Sequence, residues 1–383
     1  MQELTDLIQI SHLYGTDKNF VIAGGGNTSF KNSTTLWVKA SGVTLADIDE
    51  NGFAVLDRAK VKATLSKTYS TDPEKREEEV KNDLMASRLD LVHGKRPSVE
   101  AALHEMIPFP YVVHTHPFTV NAITCSQQGN EIITKLFGNR AIFVEYTDPG
   151  YTLAKKMEKR MDEYQQKFGK TPQLIFLENH GIFIAAENTT SIKQLYDEVM
   201  STIQKEFKNK ADLKAIPLDS NLPSIIQIVL NTLQMYLPSG SKPLLAKAQN
   251  HWLLSQFSDN NTHFQNIAQP FTPDNVMFCK AAPLFIEDTS SPKQIAEKLP
   301  GLIEQYRIQW GYPPRLFVMK NLGVIGVEEN EKAVNILLDF FDDVLQVSFY
   351  SQNFGGPKFL SRPAIEFIDH WEVEKYRKAL SSK

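Results

Sequence analysis

Residues 111–117 are Tyr111-Val112-Val113-His114-Thr115-His116-Pro117, a run that predicts a short buried β-strand. Side chains two residues apart in a strand project to the same side, so the imidazoles of His114 and His116 can both reach one metal ion. Two hydrogen-bonded histidines on a strand surface are the simpler alternative. A metal centre therefore requires a third ligand from elsewhere in the chain.

The composition predicts two domains or lobes rather than one core. The chain has 383 residues, of which 42% are hydrophobic and 22% charged, and its net charge is -4. A sequence pI near 6.2 gives no attraction to nucleic acid, and no apolar run approaches the roughly 18 residues of a membrane span. Glu3 and Asp6 stand where a signal peptide would be positively charged, and only two cysteines, Cys125 and Cys279, occur. We therefore expect a cytoplasmic protein in a reducing compartment.

A run of three glycines at 24–26 precedes Asn27 and Thr28. The Gly-Lys-Ser/Thr ending of a P-loop is absent, and so is the third glycine of a dinucleotide-binding fingerprint. Two interpretations stay open. The backbone N–H groups around Gly26, with the side chains of Asn27 and Thr28, form an anion-binding turn, or the run is a plain hairpin turn. A second small-residue turn, Ser41-Gly42, follows a predicted strand at 35–39.

The sequence Arg-Pro-Ser-Val-Glu at 96–100 is predicted to open a helix that leads into the histidine strand. A carboxylate in a first helical turn is often only a capping group. Glu100 and His104, however, lie one turn apart on the same helix face, directly before His114 and His116. Strands alternate with helices along this half of the chain, which favours an α/β class with layered helices.

An internal repeat with one constant offset explains the second half of the chain. The register of the repeat holds without a gap over some forty-five residues, within which Phe143 recurs at Phe285, Asn179 at Asn321 and Gly181 at Gly323. Chance does not account for such a register, so we interpret it as a duplicated unit. The duplication predicts a first domain at 1–210 and a second, degenerate lobe at 222–383.

The repeat singles out a third histidine. His180 in the first copy is Leu322 in the second, and the same offset places Gln256 and Ser258 opposite His114 and His116. A histidine that only filled the core could persist in both copies, whereas the joint loss of all three indicates one shared site. The second copy also lacks a glycine run, so we expect it to serve packing or assembly.

Three neutral imidazoles, from His114, His116 and His180, match a catalytic zinc site with an open coordination position. Manganese, cobalt, nickel and iron stay open as alternatives because imidazole binds all of them. Such a metal can hold a carbonyl and hydroxyl pair and stabilise an enediolate, provided that a base such as Glu100 lies beside it. If the glycine turn and Ser41-Gly42 hold a phosphate, the substrate is a small phosphorylated ketose.

Taken in order, these motifs resemble the class II aldolase/adducin family over residues 5–205. The resemblance rests on Gly-Gly-Asn-Thr-Ser at 25–29, Lys-Ala-Ser-Gly at 39–42, Ser-Val-Glu at 98–100, His-Thr-His at 114–116 and Asn-His-Gly at 179–181. It implies a three-layer α/β/α fold with a mainly antiparallel central sheet. It also implies zinc on His114, His116 and His180, with Glu100 as the acid/base and a fourth ligand in the resting site.

The resemblance further implies that the phosphate contacts are Asn27, Ser41, Gly42 and Ser98. It implies a homo-oligomer, a cyclic tetramer whose sites lie at subunit interfaces, where a residue of the neighbouring subunit protonates the leaving aldehyde. Two departures stand out, namely Val99 where the aldolases often carry a second serine, and a longer stretch at 43–97. Val99 weakens the phosphate assignment, and the longer stretch reshapes the expected pocket mouth.

Within the family, the chain is most similar to the aldolase part of bifunctional rhamnulose-phosphate aldolase/alcohol dehydrogenases, and we expect it to lack the dehydrogenase part. We therefore predict a metal-dependent lyase that cleaves a ketose 1-phosphate, such as rhamnulose 1-phosphate, into dihydroxyacetone phosphate and an aldehyde. Epimerisation, decarboxylation and dehydration use the same intermediate and stay open. The non-enzymatic alternative is an adducin-like assembly module.

Overall fold

The computed structural model describes residues 2–91, 94–238 and 240–371. The chain forms two compact units: the first is built mainly from residues up to Lys208, and the second mainly from Asn209–Gln352 and Gly356–Asp369. The predicted second region extends to residue 383, so its last positions, from 372 onwards, lie outside the described residues. Within the described part of the chain, no helix combines the length and apolar character that crossing a bilayer requires.

The first unit is built on a seven-stranded sheet with the order β3-β2-β1-β4-β7-β6-β5. Every neighbouring pair is antiparallel except β5 and β6, which are parallel. The histidine strand β4 lies at the centre, between β1 and β7. The strands are β1 (Asn27–Lys31), β2 (Thr35–Lys39), β3 (Phe53–Asp57), β4 (Tyr111–Thr115), β5 (Ala141–Val144), β6 (Leu174–Leu177) and β7 (Gly181–Ala186).

Helices cover both faces of this sheet. The helices are α1 (Gln2–Gly15), α2 (Arg58–Ser66), α3 (Pro73–Ala86), α4 (Ala101–Met106), α5 (Phe118–Thr124), α6 (Gly129–Phe137), α7 (Tyr151–Phe168) and α8 (Thr189–Gln204), with 3-10 turns at Glu50–Gly52 and Gly138–Arg140. Helices α1, α5 and α8 pack on one face, and α2, α3, α4 and α7 on the other. Helices thus lie on both faces of a sheet that is antiparallel in all but one pair of strands. The predicted α/β/α fold with a mainly antiparallel sheet is confirmed.

The second unit contains a four-stranded sheet with the order β8-β11-β10-β9. Its strands are β8 (Leu245–Gln249), β9 (Leu284–Ile286), β10 (Leu316–Met319) and β11 (Gly323–Glu328). Its helices are α9 (Leu222–Gln234), α10 (Trp252–Ser258), α11 (Asn261–Phe264), α12 (Pro273–Cys279), α13 (Pro292–Trp310), α14 (Glu331–Ser351) and α15 (Arg362–His370), with 3-10 turns at Gln265–Ile267 and Gln352–Phe354.

The order β8-β11-β10-β9 repeats the order β4-β7-β6-β5 of the first unit. The offset that takes Asn179 to Asn321 also maps β6 onto β10 and β7 onto β11, residue for residue. Asn179 and Asn321 at the turns between these strands both have left-handed backbones, with φ of 54° and 60°. Nothing in the described residues of the second sheet corresponds to β1, β2 and β3, so the second unit repeats only part of the first.

The predicted offset is wrong at the histidine strand. Gln256 and Ser258 lie in helix α10, and β8 takes the place of β4 beside β11. His114 pairs with Phe183, whose repeat equivalent Ile325 pairs with Ala248. Ala248 is therefore the counterpart of His114, and Asn250 is the counterpart of His116.

An insertion in the second copy explains the shift from Gln256 to Ala248. The N–H of Asn179 donates to the Thr124 carbonyl, and that of Asn321 donates to the Ser258 carbonyl. Thr124 and Ser258 are as far apart in the sequence as His114 and Ala248, so the extra chain must follow Ser258. Helix α11 and the 3-10 turn after it lie there, before α12. The corrected register still leaves no histidine in the second copy at the three positions.

Candidate active site

The three predicted ligand histidines meet at one end of β4. The Nε2 atoms of His114 and His116 lie 2.9 Å apart, and those of His114 and His180 lie 3.4 Å apart. One ligand nitrogen from each of the three lies within 4.8 Å of the others. Two of these residues come from the same strand and its extension, and the third comes from the turn between β6 and β7, so the sheet itself brings them together.

Glycines allow the backbones around these histidines to approach closely. A Cβ atom at Gly181 would lie 2.4 Å from the Thr115 carbonyl oxygen and 2.8 Å from Cδ2 of His116. Gly26 has a φ of +62°, and a Cβ there would lie 2.8 Å from the His114 carbonyl oxygen. Gly26 therefore serves close packing behind the histidine strand, because any side chain would push the two segments apart.

The surroundings of His114 prepare its Nε2 atom as a metal ligand. Its Nδ1 lies 2.9 Å from the Ile182 carbonyl oxygen. Because a carbonyl only accepts, Nδ1 carries the proton and Nε2 keeps its lone pair towards the other two histidines. Burial lowers the pKa of His114 well below its ordinary value, against the opposing effect of Glu100. A neutral His114 with a free lone pair on Nε2 is therefore suited to bind a divalent metal ion.

The carboxylate of Glu100 lies beside this cluster. Its Oε1 atom is 3.5 Å from Nε2 of His114 and 3.6 Å from Nε2 of His180. Its Oε2 atom accepts a hydrogen bond of 2.6 Å from Nδ2 of Asn27. Burial alone would raise the pKa of Glu100, but the polar groups around it, including the hydrogen bond from Asn27, hold that pKa below its ordinary value. The side chain is therefore an ionised carboxylate.

The position of Glu100 differs slightly from the prediction. Helix α4 begins at Ala101, after the residues that were predicted to open it, and Glu100 occupies the capping position before the helix and not its first turn. Its side chain makes no capping hydrogen bond to the helix. The capping interpretation is therefore wrong, and the carboxylate is directed to the histidines and Asn27 instead.

His104 is buried one turn further along α4 and does not join the metal cluster. Its Nε2 lies 2.5 Å from Oδ1 of Asn27, and its Nδ1 lies 2.7 Å from Oγ of Ser29. Burial lowers its pKa to about 3. The sequence placed His104 on the same face as Glu100 but carried no signal for these two partners, which lie on β1.

The candidate phosphate residues Ser41, Gly42 and Ser98 lie together. Ala40 pairs with Pro97 as an isolated bridge, and Oγ of Ser41 donates to the Pro97 carbonyl at 3.0 Å. Oγ of Ser98 accepts a 3.2 Å hydrogen bond from the Glu100 N–H. Gly42 has a φ of +84°. The turn at Ser41 and Gly42 therefore lies beside the segment that leads into Glu100, and Ser98 contacts the Glu100 backbone.

Two other predicted contacts lie elsewhere or are already engaged. Thr28 is fully buried, with its Oγ1 2.7 Å from Oγ of Ser11 on α1, so the structure does not bring its hydroxyl to the site. The Asn27 amide contacts Glu100 and His104. The sequence assigned Lys39 no role of its own. In the structure it is a buried lysine whose Nζ donates a hydrogen bond to the Gly24 carbonyl at 3.0 Å. Its ammonium group therefore contacts the backbone of the glycine run.

The fold and this geometry agree with a comparison against protein-family models. Residues 5–204 match the model described as Class II Aldolase and Adducin N-terminal domain. This match covers more than half of the chain. The chain therefore belongs to the class II aldolase and adducin family.

Individual relatives are more distant. The chain is 21% identical over 417 residues to a Bacillus subtilis protein named uncharacterized oxidoreductase YuxG, covering 98% of this chain and 58% of that protein. The chain thus spans less than two thirds of that relative's length.

Solved structures resemble about half of the chain. The N-terminal class II aldolase domain of a conserved Thermoplasma acidophilum protein is 27% identical, covering 53% of this chain and 92% of that one, with a TM-score of 0.46. YgbL from Klebsiella pneumoniae, a putative aldolase/epimerase/decarboxylase, is 16% identical, covering 53% and 87%, with a TM-score of 0.38. L-Fuculose-1-phosphate aldolase from Thermus thermophilus is 12% identical, covering 53% and 92%, with a TM-score of 0.35.

Proposed function

We propose that this protein is a zinc-dependent aldolase that cleaves a ketose 1-phosphate into dihydroxyacetone phosphate and an aldehyde. The observation that carries the proposal is the convergence of His114, His116 and His180 with the Glu100 carboxylate 3.5 Å from Nε2 of His114. Membership of the class II aldolase and adducin family supports it. A deoxy sugar such as rhamnulose 1-phosphate is the proposed substrate.

His114, His116 and His180 would hold the metal through their Nε2 atoms. When bound, a divalent ion supplies Lewis acidity towards the carbonyl and hydroxyl oxygens of the substrate. Glu100 moves the proton. In the direction of synthesis the Glu100 carboxylate takes a proton from carbon 3 of dihydroxyacetone phosphate. In cleavage the hydroxyl group on carbon 4 loses a proton as the bond between carbons 3 and 4 breaks. Glu100 takes up a proton and delivers it to carbon 3, so that no proton is gained or lost overall. Its ionised state and its burial suit it to this work.

We assign phosphate binding to the turn of Ser41 and Gly42 together with Ser98. Ser98 contacts the Glu100 backbone, Ser41 contacts the Pro97 carbonyl, and a glycine turn with serine hydroxyl groups beside it is suited to an anion. Lys39 under the glycine run adds a positive charge in the same region. A phosphate held there would orient the carbon chain of the substrate towards the histidine cluster.

The test is to incubate the metal-loaded protein with rhamnulose 1-phosphate, fuculose 1-phosphate and ribulose 5-phosphate and to follow dihydroxyacetone phosphate. We expect release from at least one ketose 1-phosphate. Conversion of ribulose 5-phosphate into its epimer without cleavage would replace the aldolase by an epimerase. Complete failure with all three would overturn the lyase proposal even if the metal binds.

A further inference from the structure

We infer that His104 is a positioning residue that acts through Asn27 to orient the Glu100 carboxylate, an inference that rests on the proposed role of Glu100. Asn27 is thereby reassigned from the phosphate to the base. The contacts that carry this inference form a continuous chain from β1 through α4 to the histidine cluster.

Each hydrogen bond in this series has a short donor–acceptor distance. Ser29 Oγ lies 2.7 Å from His104 Nδ1, His104 Nε2 lies 2.5 Å from Asn27 Oδ1, and Asn27 Nδ2 lies 2.6 Å from Glu100 Oε2. Asn27 and Ser29 are two residues apart on β1, so both side chains face α4. Glu100 and His104 are four residues apart and face β1 in turn. Two regular elements therefore hold four side chains in register.

The chemistry of the groups gives each bond one direction. Nδ2 of the Asn27 amide faces Oε2 of Glu100 and Oδ1 faces Nε2 of His104, so the amide nitrogen donates to the carboxyl group. The amide oxygen only accepts, so His104 donates from Nε2. Its Nδ1 then accepts from the hydroxyl of Ser29. A neutral imidazole, with one donor and one acceptor nitrogen, is the ring that satisfies both neighbours.

Burial makes the loss of any of these hydrogen bonds costly. His104 and Ser29 are 0% exposed, Asn27 is 6% exposed and Glu100 is 7% exposed. A buried polar group that loses its partner is not rescued by bulk water. Rotation of the Glu100 carboxylate would therefore leave the Asn27 amide unpaired, which opposes that rotation.

The His104 ring is also held by packing. Phe183 stacks on His114 with a centroid distance of 4.0 Å and meets His104 edge-on at 5.3 Å. Phe183 therefore contacts both rings, and His104 uses both of its nitrogens on Asn27 and Ser29. The Lys31 ammonium group donates to the His104 carbonyl at 2.5 Å, which anchors the backbone of α4. His104 thus supports the site without being a ligand in it.

The test compares two substitutions at His104. In His104→Gln, the new side-chain amide can still donate to Asn27 and accept from Ser29. In His104→Leu, a side chain of comparable bulk has no donor. We expect His104→Leu to lower kcat by about 10- to 100-fold, because misorientation of a general base slows proton transfer. We expect KM and metal content to stay unchanged, and His104→Gln to recover most of the activity.

The control is His251→Leu, which removes another buried histidine, one bonded to Asp342 in the second unit. Solvent deuterium exchange into carbon 3 of dihydroxyacetone phosphate measures the Glu100 step without an aldehyde. We expect exchange to be slowed by His104→Leu and unchanged by His251→Leu. Proton NMR supplies a readout besides activity: a downfield His104 Nε2–H resonance should be present in the parent and lost or shifted in Asn27→Leu.

The outcomes separate the two proposals. If the parent protein is active and His104→Leu exchanges the carbon 3 proton as fast as the parent does, the positioning role is overturned. A His104 resonance that does not change in Asn27→Leu overturns it as well. A His104→Leu protein that loses metal would make His104 a support of the metal centre and overturn the inference as well. If the parent neither cleaves nor exchanges, the proposed function fails, and the NMR signal then decides alone whether Asn27 and His104 are coupled.

Discussion

His180 separates a three-ligand metal centre from a mere pair of histidines on a strand. It follows the left-handed turn at Asn179 and completes the cluster with His114 and His116. We expect the purified protein to carry about one zinc-like ion per chain, and His180→Ala to lose it, because two imidazoles are too few ligands for tight binding. Metal analysis after dialysis measures this. His251→Ala is the control, and full metal retention in His180→Ala would contradict a three-histidine site.

Glu100 provides the second prediction at the level of single residues. Glu100→Gln keeps the size of the side chain and removes its ability to transfer a proton. We expect the metal content to stay and turnover to fall by about 10²- to 10⁴-fold, the range that general acid–base catalysis contributes. Steady-state rates on metal-loaded protein test this, and turnover near the parent value would assign the base to another group.

Strand β7 begins at Gly181, where two segments of backbone touch. In Gly181→Ala the new Cβ would lie 2.4 Å from the Thr115 carbonyl oxygen, so one of the two strands must shift. We expect a loss of about 1–3 kcal/mol in the free energy of unfolding, typical of overpacking, together with weaker metal binding because His116 moves. Urea unfolding and metal titration measure the two effects.

The matched control for that glycine is Gly301→Ala in α13. A Cβ at Gly301 meets nothing within 4 Å, and alanine is favoured over glycine inside a helix by about 0.8–1.0 kcal/mol. We expect this variant to be as stable as the parent or more stable. A Gly181→Ala protein that behaved like Gly301→Ala would show that the close approach at β7 is unimportant.

Strand β1 and helix α4 are joined by a buried lysine that gives a prediction about pH. Burial lowers the pKa of Lys31 to about 7, against the attraction of Glu105. The unfolded chain keeps this proton up to a pH of about 10.4, so between these values the unfolded state binds more protons and stability rises with pH. We expect Lys31→Met to remove that increase. Urea unfolding at pH 7, 8 and 9 checks it, and equal slopes for both proteins would contradict it.

At the scale of the whole chain, the duplication predicts one metal site and not two. The second unit has Ala248, Asn250 and Leu322 at the positions of the three ligands, and none of these side chains binds zinc well.

We also propose, from the family resemblance, that chains of 43.4 kDa assemble into a tetramer. Light scattering on the purified protein measures its mass, and a monomer at micromolar concentration would contradict the assembly.

The duplication also shows how far sequence patterns reach. The recurrence of Leu174, Asn179 and Gly181 as Leu316, Asn321 and Gly323 correctly paired β6 with β10 and β7 with β11. The same offset was wrong at His114 and His116, because the second copy contains an insertion between the histidine strand and the matching run. Only the pairing of β8 with β11 revealed Ala248 as the counterpart of His114.

The sequence by itself determined the local elements and the residue types of the site. Alternation indicated the histidine strand, and the loss of three histidines from the repeat grouped His180 with the other two. Only the tertiary structure decided what Asn27, Thr28 and His104 contact. Asn27 and His104 are 77 positions apart, and no local period reports which distant side chains share one buried space. Burial then gives their hydrogen bonds a single consistent direction, because each unpaired polar group there would be costly.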